Sequence, residues 1–211
     1  MRILGIDPGL RATGYGVVEL AAGVGAPRLI EAGVIRTRAA DPLADRLLEI
    51  ESGLAAVLAE FKPDTVAVEE LYSHYKHPRT AILMGHARGI VFLAAARAGV
   101  AVVSYSATNI KKSLLGAGHA SKEQVQRVIQ RLFTLTKAPE PPDVADALAV
   151  ALCHAYRATR MALTAPRPRA AGLSPRRVFD VTHRAEPDPS RRVGSKTRRG
   201  ERAGAPSTWN P

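Results

Sequence analysis

At Asp41 the hydrophobic period of this sequence changes from that of strands to that of a helix. Upstream lie three short β-type segments, at residues 3–7, 14–20 and about 28–37, joined by connections too short for a crossover. Such segments pair as antiparallel hairpins. Bulky residues on both faces of residues 3–7 predict that this strand is central. Downstream, Leu43, Leu47, Ile50, Leu54, Val57, Leu58 and Phe61 recur three or four apart, the spacing of one helical face. Asp41 is expected as the N-cap of that helix and Pro42 as its first residue. Lys62-Pro63 ends it, and residues 65–69 read as a fourth strand. A helix over 79–97, a strand over 100–105 and helices near 107–115 and 122–133 follow. Ser121 starts the last of these, with Gln124 at the capping-box position. Beyond Pro139 and Pro141-Pro142, a final helix is expected from about 143 to 161. The order β-β-β-α-β-α-β-α-α-α predicts an α/β fold, a mixed five-stranded sheet with three antiparallel and two parallel strands, flanked by helices.

Charge divides the chain. It has 211 residues, 30 Lys+Arg and 19 Asp+Glu, for a net charge of +11. Residues 165–211 contribute +7 of that and hold seven of the fifteen prolines, with basic pairs at Arg176-Arg177, Arg191-Arg192 and Arg198-Arg199. Without apolar periodicity, such a segment cannot bury enough surface to offset its ordering entropy. The expected organisation is one folded domain over residues 1–164 and a disordered Arg/Pro-rich basic tail over 165–211. The excess of cations suits a polyanionic partner and disfavours an acidic-protein role. One cysteine, Cys153, excludes an intrachain disulfide and a Cys-based zinc cluster. No run approaches the ~18 apolar residues of a membrane span, so no membrane partner is expected. The first residues lack the layout of a secretory leader, and the expected location is the reduced cytoplasm.

Acids at the ends of apolar segments are the candidates for chemistry. Asp7 closes the first strand beside Pro8-Gly9, and Glu69 and Glu70 close the fourth. Asp143 and Asp146, three apart at the start of the last helix, point the same way. In a mixed sheet, strands one and four are natural neighbours, with the last helix over their ends. Carboxylates gathered there repel one another unless cations neutralise them. Their hard oxygens suit Mg²⁺ or Mn²⁺, and two such ions about 4 Å apart can drive phosphodiester hydrolysis. Each acid also has a plainer account: Asp143 and Asp146 suit the first turn of any helix, Asp7 suits a turn cap, and one of Glu69 and Glu70 can simply face solvent.

The segments Gly5-Ile6-Asp7-Pro8-Gly9, Thr13-Gly14-Tyr15-Gly16, Ala67-Val68-Glu69-Glu70, Gly85-His86-Ala87-Arg88-Gly89 and Asp143-Val144-Ala145-Asp146-Ala147-Leu148-Ala149 occur in this order. Over about residues 1–160 the chain thereby resembles the RuvC Holliday-junction resolvases. The resemblance implies an RNase H-like fold and a homodimer that cuts four-way junction DNA, in recombination and repair, with Mg²⁺ or Mn²⁺, two ions per site. It also implies RuvA and RuvB as branch-migration partners. It places the family's four metal-binding acids on Asp7, Glu69, Asp143 and Asp146, with Glu69 rather than Glu70 in the family position. Lys111 and Lys122 match lysines that the family uses near DNA. Lys112 is open between a phosphate contact and plain solubility. Lys122 has a physical argument of its own: a cation in a first helical turn opposes the macrodipole, so a phosphate at that helix start would account for it. Tyr72 falls where the family carries an aromatic near the junction centre, and stacking and half-buried packing are its two readings.

The remaining candidates are weaker. His74 and His77 have no third ligand apparent, so no zinc site is expected. Cys153 and His154 fall within an apolar helix and read as packing residues, while His119 either touches phosphate or nothing. A sugar-kinase-like phosphotransferase also opens on a strand and an aspartate, but needs a second lobe that the basic tail cannot supply. A related nuclease acting on ribosomal RNA precursors shares the opening strand, yet the Asp143/Asp146 pair with the Gly85–Gly89 segment favours the junction enzyme. A junction binder without catalysis would have no use for four acids where phosphates must approach.

Overall fold

Ile3, Leu4 and Ile6 are all buried, and because successive strand residues face opposite ways, their strand must be covered on both sides. The computed structural model describes residues 1–21, 25–71 and 78–164. In it this strand, β1 (Arg2–Asp7), is the middle of a five-stranded sheet of order β3-β2-β1-β4-β5. β2 (Ala12–Glu19) and β3 (Arg28–Arg36) are antiparallel, with a register shift between Val17 and Val18. β4 (Thr65–Glu69) and β5 (Ala101–Tyr105) run parallel to β1. The mixed sheet read from the sequence is the sheet observed.

Two helical layers enclose it. α1 (Leu43–Phe61) and α2 (Pro78–Arg97) cover one face, where Leu4, Ile6, Val17, Ile50, Leu54 and Val91 form one core. α3 (Ala107–Leu115), α4 (Lys122–Leu132) and α5 (Pro142–Thr164) cover the other, over Ile3, Val18, Ala67, Ile129, Leu148 and Leu152. The Ser121–Gln124 capping box is formed in both directions. Lys62 ends α1 in the left-handed conformation, φ 45°, with its N–H donating to Leu58. The expected N-cap of α1 is corrected. Pro42 holds that position with an extended ψ of 147° and makes no side-chain cap bond. Its carbonyl accepts the N–H of Arg46, while the Asp41 carboxylate lies one residue too early and turns back to Arg38, 3.7 Å away. Among the described residues no helix is long and apolar enough to cross a membrane. Tyr72, His74, His77 and residues 165–211, with the expectations placed on them, lie outside the described residues.

Three glycines decide where α5 lies. Gly5 on β1 stands opposite Gly16 on β2, and Asp7 stands opposite Gly14. A Cβ on Gly5 would run into the Ala147 carbonyl oxygen, one on Gly14 into that of Asp143, and one on Gly16 into the Leu148 side chain. Without side chains at these points the strands form a trough, and the backbone of α5 rests in it. Close approach, rather than a special φ, is what these positions require.

Candidate active site

Asp7 shares the face of Ile3 and Gly5, so its carboxylate emerges where α5 begins. β4 runs parallel to β1 with Ile6 beside Val68, which brings Glu69 alongside Asp7 at the same end of the sheet. The trough fixes the first turns of α5 over this end and adds Asp143 and Asp146. All four acids line one cleft of about 720 Å³, with Glu70 and Lys122 also on its walls. The cleft opens at the carboxyl ends of β1 and β4, next to the point where the sheet changes from antiparallel to parallel pairing. Loops there diverge and leave a crevice.

The field inside is strongly negative. Burial pushes the Asp7 carboxyl up to about 7, and Glu69, Asp146 and Asp143 push it the same way, while Lys122 opposes them. Glu69 is raised by burial and by Asp146, and drawn down by Lys122 and Lys111. Lys122 Nζ donates to Asp146 Oδ2 at 3.0 Å, and this contact raises the ammonium pKa. The cation in the first turn of α4 thus has an identifiable offset: the acids of α5, which compensate for its poor place on the helix dipole. The described residues show no hydrogen bond or ion pair to the Asp7 carboxylate. Nor do any three His, Cys, Asp or Glu side chains among them converge on a point that would hold one ion. What the four acids share is a cleft and a field. Their donor chemistry, all hard carboxylate oxygen, fits a hard divalent cation.

The basic candidates separate. Lys111 lines a recess beside the acids together with Glu69, Lys122 and Asp146. Lys112, one step round α3, faces a different hollow that it shares with Arg157 and Arg160. Glu70 is exposed, and its N–H donates to the Tyr105 carbonyl. His119 is exposed.

Some of the machinery was not singled out by the sequence. Arg88 Nη2 donates to Ser104 Oγ at 2.8 Å, its Nε to the Glu69 carbonyl at 3.4 Å, and its guanidinium lies 4.6 Å over the Phe92 ring. One side chain from α2 therefore ties the ends of β4 and β5 and steadies the peptide that carries Glu69. Its sequence signal was the Gly85–Gly89 segment, which carries the family resemblance but gives Arg88 no role at the site. Thr13, a fully buried polar residue, donates to the Gly9 carbonyl at 2.7 Å and closes the loop that follows Asp7. Cys153 is buried as expected. His154 does more than pack: its Nδ1 is hydrogen-bonded to the Tyr105 hydroxyl at 2.8 Å.

Known proteins resemble this chain over the same span. The family model described as "Crossover junction endodeoxyribonuclease RuvC" matches residues 3–154. A protein of that name from Rhodopirellula baltica is 52% identical over 158 residues, 74% of this chain and 86% of the relative. Among solved structures, Thermus thermophilus RuvC in complex with Holliday junction substrate superposes with a TM-score of 0.71 at 39% identity, over 76% of this chain and 96% of that one. The yeast mitochondrial Holliday junction resolvase Ydc2 shares the fold, with a TM-score of 0.54 at 14% identity, over 74% of this chain and 79% of its own. The fold is thus the RNase H-like fold of these resolvases, and the chain belongs to the RuvC family of crossover junction endodeoxyribonucleases.

Proposed function

We propose that this protein is a structure-selective endonuclease that resolves four-way DNA junctions, with Asp7, Glu69, Asp143 and Asp146 holding two Mg²⁺ or Mn²⁺ ions in each active site. The observation that carries the reading is the gathering of four carboxylates in one cleft of a chain with net charge +11. An acid pushed up to about 7 by burial and by the acids around it signals a site arranged for cations. Such ions supply, when bound, a water made nucleophilic near neutral pH and stabilisation of the leaving oxygen. The chain's own part is placement. Asp7 and Glu69 present ligands from strand ends, Asp143 and Asp146 from a helix pinned to the sheet, and Arg88 keeps the Glu69 peptide still. Lys122, paired with Asp146, balances the charge of the acids and faces the space that a phosphate enters. Lys111 adds a second cation on the Glu69 side.

A second copy of the chain completes the enzyme in this reading. α2 leaves Ile82 62%, Leu93 43% and Phe92 37% exposed. Among the described residues nothing crowds a Cβ at Gly85 or Gly89, whose four-residue spacing lets another helix approach closely. A two-fold dimer through this face presents two clefts to one junction, so paired cuts follow from symmetry. Tyr72, on the segment after Glu70, stacks on an unpaired base. Lys112 is a further contact to DNA. Residues 1–164 are the nuclease domain and residues 165–211 a basic tail that adds salt-sensitive affinity. RuvA and RuvB are the partners and the cytoplasm the location.

The test is cleavage of a synthetic four-way junction. Asp7→Asn, Glu69→Gln and Asp146→Asn should abolish cutting in Mg²⁺ or Mn²⁺ while junction binding persists, and Glu70→Gln should retain most activity. Wild-type cutting should disappear in chelator and not return with Ca²⁺, whose looser coordination suits a two-ion site poorly. Cutting at wild-type rates by the Asp7 and Asp146 variants would end this reading.

A further inference from the structure

α5 carries a second polar feature along the same stripe as its acids. From Asp146 to Arg157 is eleven residues, which returns the helix to within about 20° of the same direction some 16 Å further along its axis. Arg160 falls on that stripe too. There Arg157 and Arg160 face Lys112 of α3 across a hollow of about 510 Å³, with Asn109 and Ser113 on its wall. Among the described residues no carboxylate lines it, and none of the three cations has a salt-bridge partner there. The Arg157 guanidinium is drawn 6.0 Å from the centroid of the Tyr105 ring.

Ordinary surface reasons account for only part of this. Lys112 lies in the last turn of α3, where a cation is favoured by the carbonyl end of the helix. Arg157 and Arg160 have no such reason, because the last turn of α5 contains no basic residue. Three like charges around one concavity repel, and an anion between them turns the repulsion into attraction. Arginine forks match phosphate oxygens two at a time, and the Asn109 amide adds a neutral donor.

We propose that this hollow is a second phosphate site, which takes the backbone of a duplex arm away from the cut. The inference rests on the junction-nuclease reading for its ligand, and the rise of about 3.4 Å per base pair places the contact roughly five steps from the scissile phosphate. α3 connects the two places: Lys111 serves the acids and Lys112, the next residue, serves the arm. The site therefore holds the arm in register with the cleft and takes no part in the chemistry.

Filter binding of full-length protein to a four-way junction, in Ca²⁺ over a range of salt, tests it. Each phosphate contact contributes about 0.9 to the slope of log affinity against log salt. The triple variant Lys112→Gln/Arg157→Gln/Arg160→Gln should lower that slope by about two to three, and Arg160→Gln alone, which removes one exposed side chain, by about one. Neutral methylphosphonate linkages four to six steps from the cut should weaken wild-type binding several-fold and leave the triple variant unaffected. An unchanged slope overturns the proposal, and so does an equal effect of the neutral linkages on both proteins. If wild type does not bind or cut junctions at all, the nuclease reading itself has failed, a result these variants cannot mimic.

Discussion

Replacing Asp7 by Asn should make the protein more stable and inactive at once. The sign follows from the carboxyl, which titrates at about 7 in the fold against an ordinary 3.8. Between those values the folded state holds a proton that the unfolded state has released. Stability in chelator therefore falls as pH rises from about 4 to 7, and the full penalty remains above 7. At ~1.36 kcal/mol per pH unit the gap corresponds to ~4 kcal/mol. Solvent reaches the half-buried carboxylate, and the substituted amide carries a burial cost of its own of ~1–3 kcal/mol. The net gain at pH 8 is then about 1–3 kcal/mol. For a domain of this size that raises Tm by roughly 3–10 °C. The assay is a thermal melt of wild type and Asp7→Asn in chelator at pH 4.5 and pH 8, repeated with Mg²⁺. The variant should lead at pH 8 and lose that lead at pH 4.5. Mg²⁺ should stabilise wild type and close the gap, because binding to the folded state adds stability by mass action. If the variant melts below wild type in chelator at pH 8, the account of repelling acids is wrong.

Three other outcomes follow from the same geometry. Gly14→Ala places a methyl group against the Asp143 carbonyl and should abolish junction cleavage at a cost of several kcal/mol, read by melting and by cleavage on one preparation. Tyr72→Ala should slow cleavage with nearly unchanged Tm, and Tyr72→Phe should be almost silent, since stacking needs the ring and not the hydroxyl; a large loss of Tm in the Ala variant would favour packing. Deleting residues 165–211 should weaken duplex binding at low salt yet leave folding and junction cleavage intact, measured by circular dichroism and by salt-dependent binding.

Most of the sheet was legible because its signals are local. Apolar residues on both faces placed β1 in the middle, short connections paired β2 and β3, and the Ser121–Gln124 box marked the start of α4 within a residue. The acids were legible by position, each at the end of an apolar element. What escaped were contacts between side chains far apart in sequence. Arg88 reaches Ser104 and Glu69, sixteen and nineteen residues away, and His154 meets Tyr105 across forty-nine; no periodicity encodes such meetings. Asp41 failed for a local reason: Pro42, at ψ 147°, stays outside the helix and holds the cap position itself, one residue later than expected. Lys111 and Lys112 show the same limit. Neighbours in the chain, they serve different hollows because a helix turns about 100° per residue.

The trough under α5 has a consequence for anyone engineering this scaffold. Glycine to alanine within a strand is ordinarily a stabilising exchange, because it narrows the freedom of the unfolded chain. At Gly5 and Gly14 it works in reverse. Backbone meets backbone there with no side chain between them to yield, so an added methyl group must lift the whole helix. Asp143 and Asp146 move with it, as the end of a rigid lever moves when its pivot is packed with a shim. Thermostability should therefore be sought in α1, whose contacts lie on the far face of the sheet, where a small displacement is absorbed before it reaches the acids.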